Sequence, residues 1–351
     1  MSAFDRIIGY DHIKAELMQI SDMIHHPEVY AALDAKLPQG LLLSGAPGLG
    51  KTLMATALME DSGLPCFTVR RSQSEDEFLK QLAHTFDEAA EAAPSMLLLD
   101  DMDKFSSDEF STAAFTAVQS CIDKVQEKQV FVIATANNVE ELPDSLLRCG
   151  RFDRQIKVQR PNCTDGEQII RRYLSGKAPV PDISLSDLTQ LLSHSSCAQV
   201  ESALNEAAIY AAYERSGSIT RTHLVRAVLK TIHHVPPEVY PVSEEQRKKV
   251  AFHEAGHTVM MELAAPGAAA FATMLYSPTS DYCYGFVRQN RSLGTRETVL
   301  VMLAGKAAYA AHCGIVLESN VELGAVRLKT IEFCAILNDM LTHAIDCAEH
   351  S

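Results

Sequence analysis

The sequence predicts an α/β domain, a parallel sheet sandwiched by helices, followed by a mainly α-helical C-terminal domain. Three observations predict it. The apolar runs "GLLLS", "SMLLLD" and "VFVIA" alternate with helix-prone segments, as buried parallel strands do. Residues 163–235 read as helices with alanine-rich faces. Beyond them a proline-rich connector, "HHVPPEVYPVSEEQ", leads into a long helix carrying His-Glu-x-x-His. The expected divisions are 1–162, 163–235 and 236–351.

The first run continues as "GLLLSGAPGLGKT", a strand, a glycine-rich loop and the start of a helix. In that order Gly45, Gly48 and Gly50 let backbone N–H groups curl round phosphates, with Ala46, Pro47 and Leu49 as the loop's remaining frame. Proline has no N–H, so Pro47 shapes the loop without donating. The helix that follows points its positive end at the same place. Lys51 is expected to neutralise the outer phosphates of ATP and Thr52 to hold Mg2+.

The second run ends at Asp100, whose carboxylate can reach the Mg2+ shell, with Asp101 beside it to polarise an attacking water. The third ends at Asn137, placed to sense the terminal phosphate. "LPDSLLRCGRFDRQI" then brings Arg148 and Arg151 among turn residues. A solvated surface is the plain account of two such arginines. Fingers that reach a neighbouring subunit's nucleotide are the sharper one.

Composition bounds the rest. The chain has 351 residues, 47% of them hydrophobic, and a formal net charge of -14. No basic surface invites nucleic acid or an anionic membrane. Nine scattered cysteines without a CxxC pair suit reduced thiols in a cytoplasmic protein. Neither a signal peptide nor a membrane span is expected.

The C-terminal helix opens at Ser243 and runs through "EEQRKKVAFHEAGHTVMMELA". His253 and His257 are one turn apart on one face and can bind one ion. Glu254 is rotated out of that set but stays close enough to act as general base. Gly256 costs ~1 kcal/mol inside a helix, which suggests a steric use. The competing account is an ordinary helix with two hydrogen-bonded histidines.

Taken together, "RCGRFDRQI", "LNEAAIYAAYE" and "EEQRKKVAFHEAGH" resemble the FtsH family of ATP-dependent zinc proteases. The resemblance implies an AAA+ P-loop domain, a helical lid subdomain and a zincin-like peptidase domain. It also implies ATP and Mg2+, one Zn2+ per subunit, protein or peptide substrates and a homohexameric ring. "IIGYDHIKAEL" fits the family's N-terminal segment against the adenine and places Gly9 near it. The family's third zinc ligand is an aspartate beyond the segment that here reads "MLAGKAAYAAHCG". The stretch that follows, "IVLESNVELGAVRLKT", contains no aspartate, and Glu322 is the leading candidate, Glu318 the second, with no third protein ligand as the remaining option.

Three departures from the family bear on function. Asp101 stands where the family has glutamate, and a carboxylate set back by about 1 Å can cost ~100-fold in rate. Between Phe67 and Phe86 the aromatic-hydrophobic-glycine pore loop is missing, and Phe78 reads as a core residue. The family's membrane spans and the last part of its peptidase domain are also expected to be absent, so the third domain is expected to be shortened. The expected function is therefore an ATP-dependent zinc endopeptidase, with a regulatory or scaffold ATPase as the alternative.

Overall fold

A computed structural model describes residues 2–35, 38–71, 74–105, 113–148, 150–175, 184–234, 243–273, 286–289, 293–313, 321–323 and 326–328. It begins with a short 3-10 helix (Ala3–Arg6), followed by α1 (Asp11–His25) and the short α2 (Pro27–Ala31), and then enters the sheet region. There β1 (Gly40–Ser44), β2 (Cys66–Arg70), β3 (Ser95–Asp100), β4 (Val130–Ala136) and β5 (Arg154–Lys157) are joined by α3 (Lys51–Ser62), α4 (Glu75–Glu91) and α5 (Ala113–Val125). Next come α6 (Cys163–Leu174), α7 (Leu185–Leu191), α8 (Cys197–Tyr213) and α9 (Arg221–Thr231). The chain continues through α10 (Glu244–Ala264), β6 (Ala269–Thr273), β7 (Phe286–Gln289), α11 (Thr295–Cys313), β8 (Val321–Leu323) and β9 (Val326–Leu328).

The five-stranded sheet has the order β2-β3-β4-β1-β5, and all its pairings are parallel. Its three inner strands are buried along their whole length, which is why their sequences are unbroken apolar runs. The edge strands β2 and β5 are mostly exposed or half-buried. Because every crossover returns the chain to the same end, the C-termini of β1, β3 and β4 collect at one edge of the sheet. That edge is where parallel α/β sheets place ligands.

The expected AAA+ P-loop fold is thus present. Helix α4 covers one face with Phe78, Leu82, Phe86 and Ala89, spaced as a helical stripe requires. Phe78 meets Phe105 edge-on at 4.8 Å between ring centres, so it is a core residue, as its spacing indicated. Only residues 71–74 lie between β2 and α4.

The chain divides into two units, Met1–Ser175 with Ser195–Glu201, and Gly176–His194 with Ser202–Ser351. In the second unit α10 and α11 run antiparallel. Lys249 lies over the Tyr309 ring, Phe252 stacks on His312 at 3.5 Å, and His257 reaches Val301. Met260, Met261, Val301, Ala304 and Ala307 form the core between them. Strands β6 and β7 are antiparallel, with an irregularity between Ala269 and Phe271. The Glu262 carboxylate accepts from Gly267 N and Ala269 N, fixing the turn out of α10. Among the described residues no helix is long and apolar enough to cross a membrane.

Candidate functional site

Each unit gathers one group of the expected residues. In the first, β1 delivers the chain to residues 45–50, where Gly45, Gly48 and Gly50 have φ of 147°, 75° and 91°. Those angles suit glycine and turn the loop back over the start of α3. Gly48 is further required by space: a Cβ there would stand 2.9 Å from both Ala198 Cβ and Ser196 Oγ.

Lys51, buried at the first turn of α3, is folded onto the loop. Its Nζ donates to Gly45 O at 2.7 Å, Ala46 O at 2.9 Å and Asn137 Oδ1 at 2.8 Å. Burial pushes its pKa down, outweighing the attraction of Asp101, Asp103 and Asp100. Thr52 Oγ1 and Thr135 Oγ1 each donate to Asp100 Oδ1 at 2.8 Å. The residues expected to meet the phosphates and Mg2+ therefore form one hydrogen-bonded cluster at the sheet edge.

Asp101 sits at a positive φ of 55°. Its backbone N donates to Thr135 Oγ1, and its carboxylate receives Arg70, Lys104 and Asn137. Burial alone would raise its pKa, but the hydrogen bonds from Lys104 and Arg70 prevail and the net shift is downward. Arg70 and Lys104 had no place in the sequence reading. Arg70 could have been found from register, since it pairs with Asp100 across β2 and β3.

Beside the glycine loop lies a cavity of about 370 Å3 whose wall includes Ile8, Tyr10, Leu53, Tyr173 and Cys197. It is roomy enough for a nucleoside. Gly9 is not the residue that meets it. A Cβ on Gly9 would lie 2.9 Å from Asp165 Oδ1, and its neighbours Ile8 and Tyr10 carry the wall instead. Tyr10 is fixed by its N–H on Asp165 and its hydroxyl on Gln159 O at 2.9 Å, with Cys197 Sγ 3.7 Å away. Tyr173 and Cys197 come from α6 and α8, and no local pattern marks them as pocket residues.

The two arginines differ. Arg148 is exposed. Arg151 grips Asp123 with two bonds, of 3.0 and 2.9 Å, and also donates to Ser145 O.

In the second unit His253 and His257 rise from α10 toward α11, with rings at 89° and Nε2 atoms 3.1 Å apart. His257 Nδ1 lies 2.5 Å from Val301 O. A carbonyl only accepts, so Nδ1 carries the proton and the Nε2 lone pair faces His253. Two nitrogens bound to one tetrahedral zinc stand about 3.3–3.4 Å apart, so this pair fits such an ion as two of its ligands. Glu254 is buried in the same helix, and burial pushes its carboxyl up to about 7.

Among the described residues no three His, Cys, Asp or Glu side chains gather as a metal site. Glu322 is placed by its backbone alone, on β8 opposite Arg327. Glu318 lies outside the described residues.

Residues 41–160 match the ATPase family associated with various cellular activities (AAA). Over 276 residues, 76% of this chain, the sequence is 33% identical to the ATP-dependent zinc metalloprotease FtsH of Ureaplasma parvum, covering 38% of that protein. The proteins of the same name from Helicobacter pylori and Acaryochloris marina are each 29% identical, over 87% and 89% of this chain and 52% and 51% of their own. The chain thus spans about a third to a half of the length of the curated relatives it matches.

Proposed function

For a chain that belongs to the FtsH-type AAA+ protease family, and carries its ATPase module, we propose an ATP-dependent zinc metalloendopeptidase. The observation that carries the peptidase half is the His253–His257 pair, Nε2 to Nε2 at 3.1 Å with the His257 tautomer set by Val301 O. The relatives' printed names supply zinc and proteolysis, and this donor pair supports bringing both to the present chain.

In this reading the residues 45–50 cradle the phosphates of Mg·ATP. Lys51 leaves the loop carbonyls for the outer phosphates, while Thr52 and Asp100 hold the Mg2+ shell. Asp101 orients the attacking water, and Asn137, already bonded to Lys51, senses the terminal phosphate. Arg148 and Arg151 act on the nucleotide of the next subunit in a homohexameric ring. The helices of 163–235 serve as the lid, and 236–351 as the zincin-like peptidase domain of a cytoplasmic enzyme.

His253, His257 and Glu322 would hold zinc, which when bound supplies Lewis-acid polarisation of a peptide carbonyl and an acidified water. Glu254 takes a proton from the attacking water as the water oxygen bonds to the peptide carbonyl carbon, and gives that proton to the amine nitrogen as the C–N bond breaks. Its buried position and raised affinity for a proton suit that exchange.

The test is Lys51→Ala. It should abolish ATP-stimulated casein degradation but leave cleavage of a short unfolded peptide. Equal casein degradation by both proteins would sink the coupling.

A second reading is a regulatory or scaffold ATPase with weakened hydrolysis and threading. The short β2–α4 connection at residues 71–74 and the ion pairs on Asp101 favour it. It requires a protein that assembles with ATP yet contains no zinc.

A further inference from the structure

Resting on the zinc reading above, we infer that Gly305 is a positioning residue of the metal site. The α11 backbone presets both imidazoles, and a side chain at position 305 would displace them. A Cβ built on Gly305 stands 2.5 Å from His257 Nε2 and 2.8 Å from both Nε2 and Cε1 of His253. Real Cβ atoms do not approach so closely, and two of the three atoms in the way are those that would bind the metal.

Gly305 sits inside a helix, where glycine is unfavourable and no special backbone angle calls for it. Its use is therefore steric. One turn earlier on the same helix, Val301 O takes the Nδ1–H of His257. One carbonyl thus sets the tautomer, and one missing side chain sets how deeply both rings seat. Such partners of metal-binding histidines typically hold about 10–100-fold of metal affinity.

Gly256 provides the comparison. A Cβ there would meet Ala304 O at 2.5 Å and Ala308 Cβ at 2.6 Å, so its nearest clashes are with α11 and not with the rings.

The experiment measures zinc affinity by chelator competition on the full chain, and the visible spectrum of the Co2+-loaded protein. Gly305→Ala should bind zinc about 10–100-fold more weakly, with an altered Co2+ spectrum. Gly256→Ala, which meets the rings only through α11, should lose less affinity and change the spectrum less. Unchanged affinity and spectrum in Gly305→Ala would overturn the inference, and equal losses in both variants would reduce Gly305 to a packing residue and overturn it too. Wild-type protein that binds no zinc would instead overturn the reading beneath it.

Should Gly305→Ala not fold, histidine-labelled wild-type protein gives a second readout. Metal-free protein should show His257 protonated at Nδ1 by nitrogen NMR, and protonation at Nε2 would contradict the preset tautomer.

Discussion

Arg70 holds Asp101: its Nη2 lies 3.1 Å from Asp101 Oδ2, across the edge of the sheet. Lys104 reaches the same oxygen at 2.9 Å, so the carboxylate expected to polarise water already serves two cations. Both cations are exposed, and pairs of that kind are worth about 0.2–1 kcal/mol. Removing Arg70 should therefore raise ATP turnover by up to about fivefold. Asp101→Glu extends the reach by about 1 Å and should raise it further, toward ~100-fold. Steady-state phosphate release checks both, and no rise in Asp101→Glu would show that the shorter carboxylate does not limit the reaction.

The same ion pairs have a pH signature. The Asp101 pKa is shifted down, so its contribution to stability is complete above the ordinary value of 3.8 and is lost as pH falls through the lower folded value. Melting temperatures of wild type and Asp101→Asn should differ slightly at neutral pH and converge under acid conditions. A gap that persists undiminished in acid would contradict the pairing.

The cavity beside the glycine loop makes a separable prediction. Cys197 lines it next to Tyr10. Cys197→Phe should fill the space a nucleoside needs and weaken ATP binding at least about tenfold, which is ~1.4 kcal/mol. Tripolyphosphate, which needs only the loop and Lys51, should bind as before. Equal losses for both ligands would place the nucleoside elsewhere.

Arg148 and Arg151 should part company on substitution. Arg151→Ala breaks the fork on Asp123 within its own subunit and should lower the melting temperature, whereas exposed Arg148 should not. If Arg148 acts across a subunit boundary, mixing Arg148→Ala with Lys51→Ala subunits should restore part of the ATP turnover that each lacks. No recovery on mixing would argue against action in trans.

Much of the ATPase half was legible because its chemistry is local. A strand, a glycine loop and a lysine adjoin in sequence, and the apolar runs of β1, β3 and β4 announce full burial. Phe78 was legible for the same reason, through its helical spacing with Leu82 and Phe86. What sequence could not supply comes from elements far apart in the chain. Tyr173 and Cys197 reach the cavity from α6 and α8, and Arg70 meets Asp101 only through strand register. Around Gly9 the wall is carried by its neighbours Ile8 and Tyr10, while a Cβ on Gly9 itself would press on Asp165. In the second unit the histidine spacing gave the pair, but Val301 and Gly305 belong to another helix.

The third metal ligand is where residue type and spacing give least guidance. Glu322 sits on a strand of three residues paired with β9. Glu322→Ala should strip zinc from the purified protein, and full retention of metal would refute its assignment.

The central claim is tested most directly by measuring zinc content together with casein cleavage, with and without ATP, in wild type and Glu254→Gln. The account predicts about one zinc per chain in both proteins, as expected for a single catalytic site. It predicts ATP-stimulated cleavage in wild type and none in Glu254→Gln. Zinc-free wild-type protein that still assembles with ATP would contradict it.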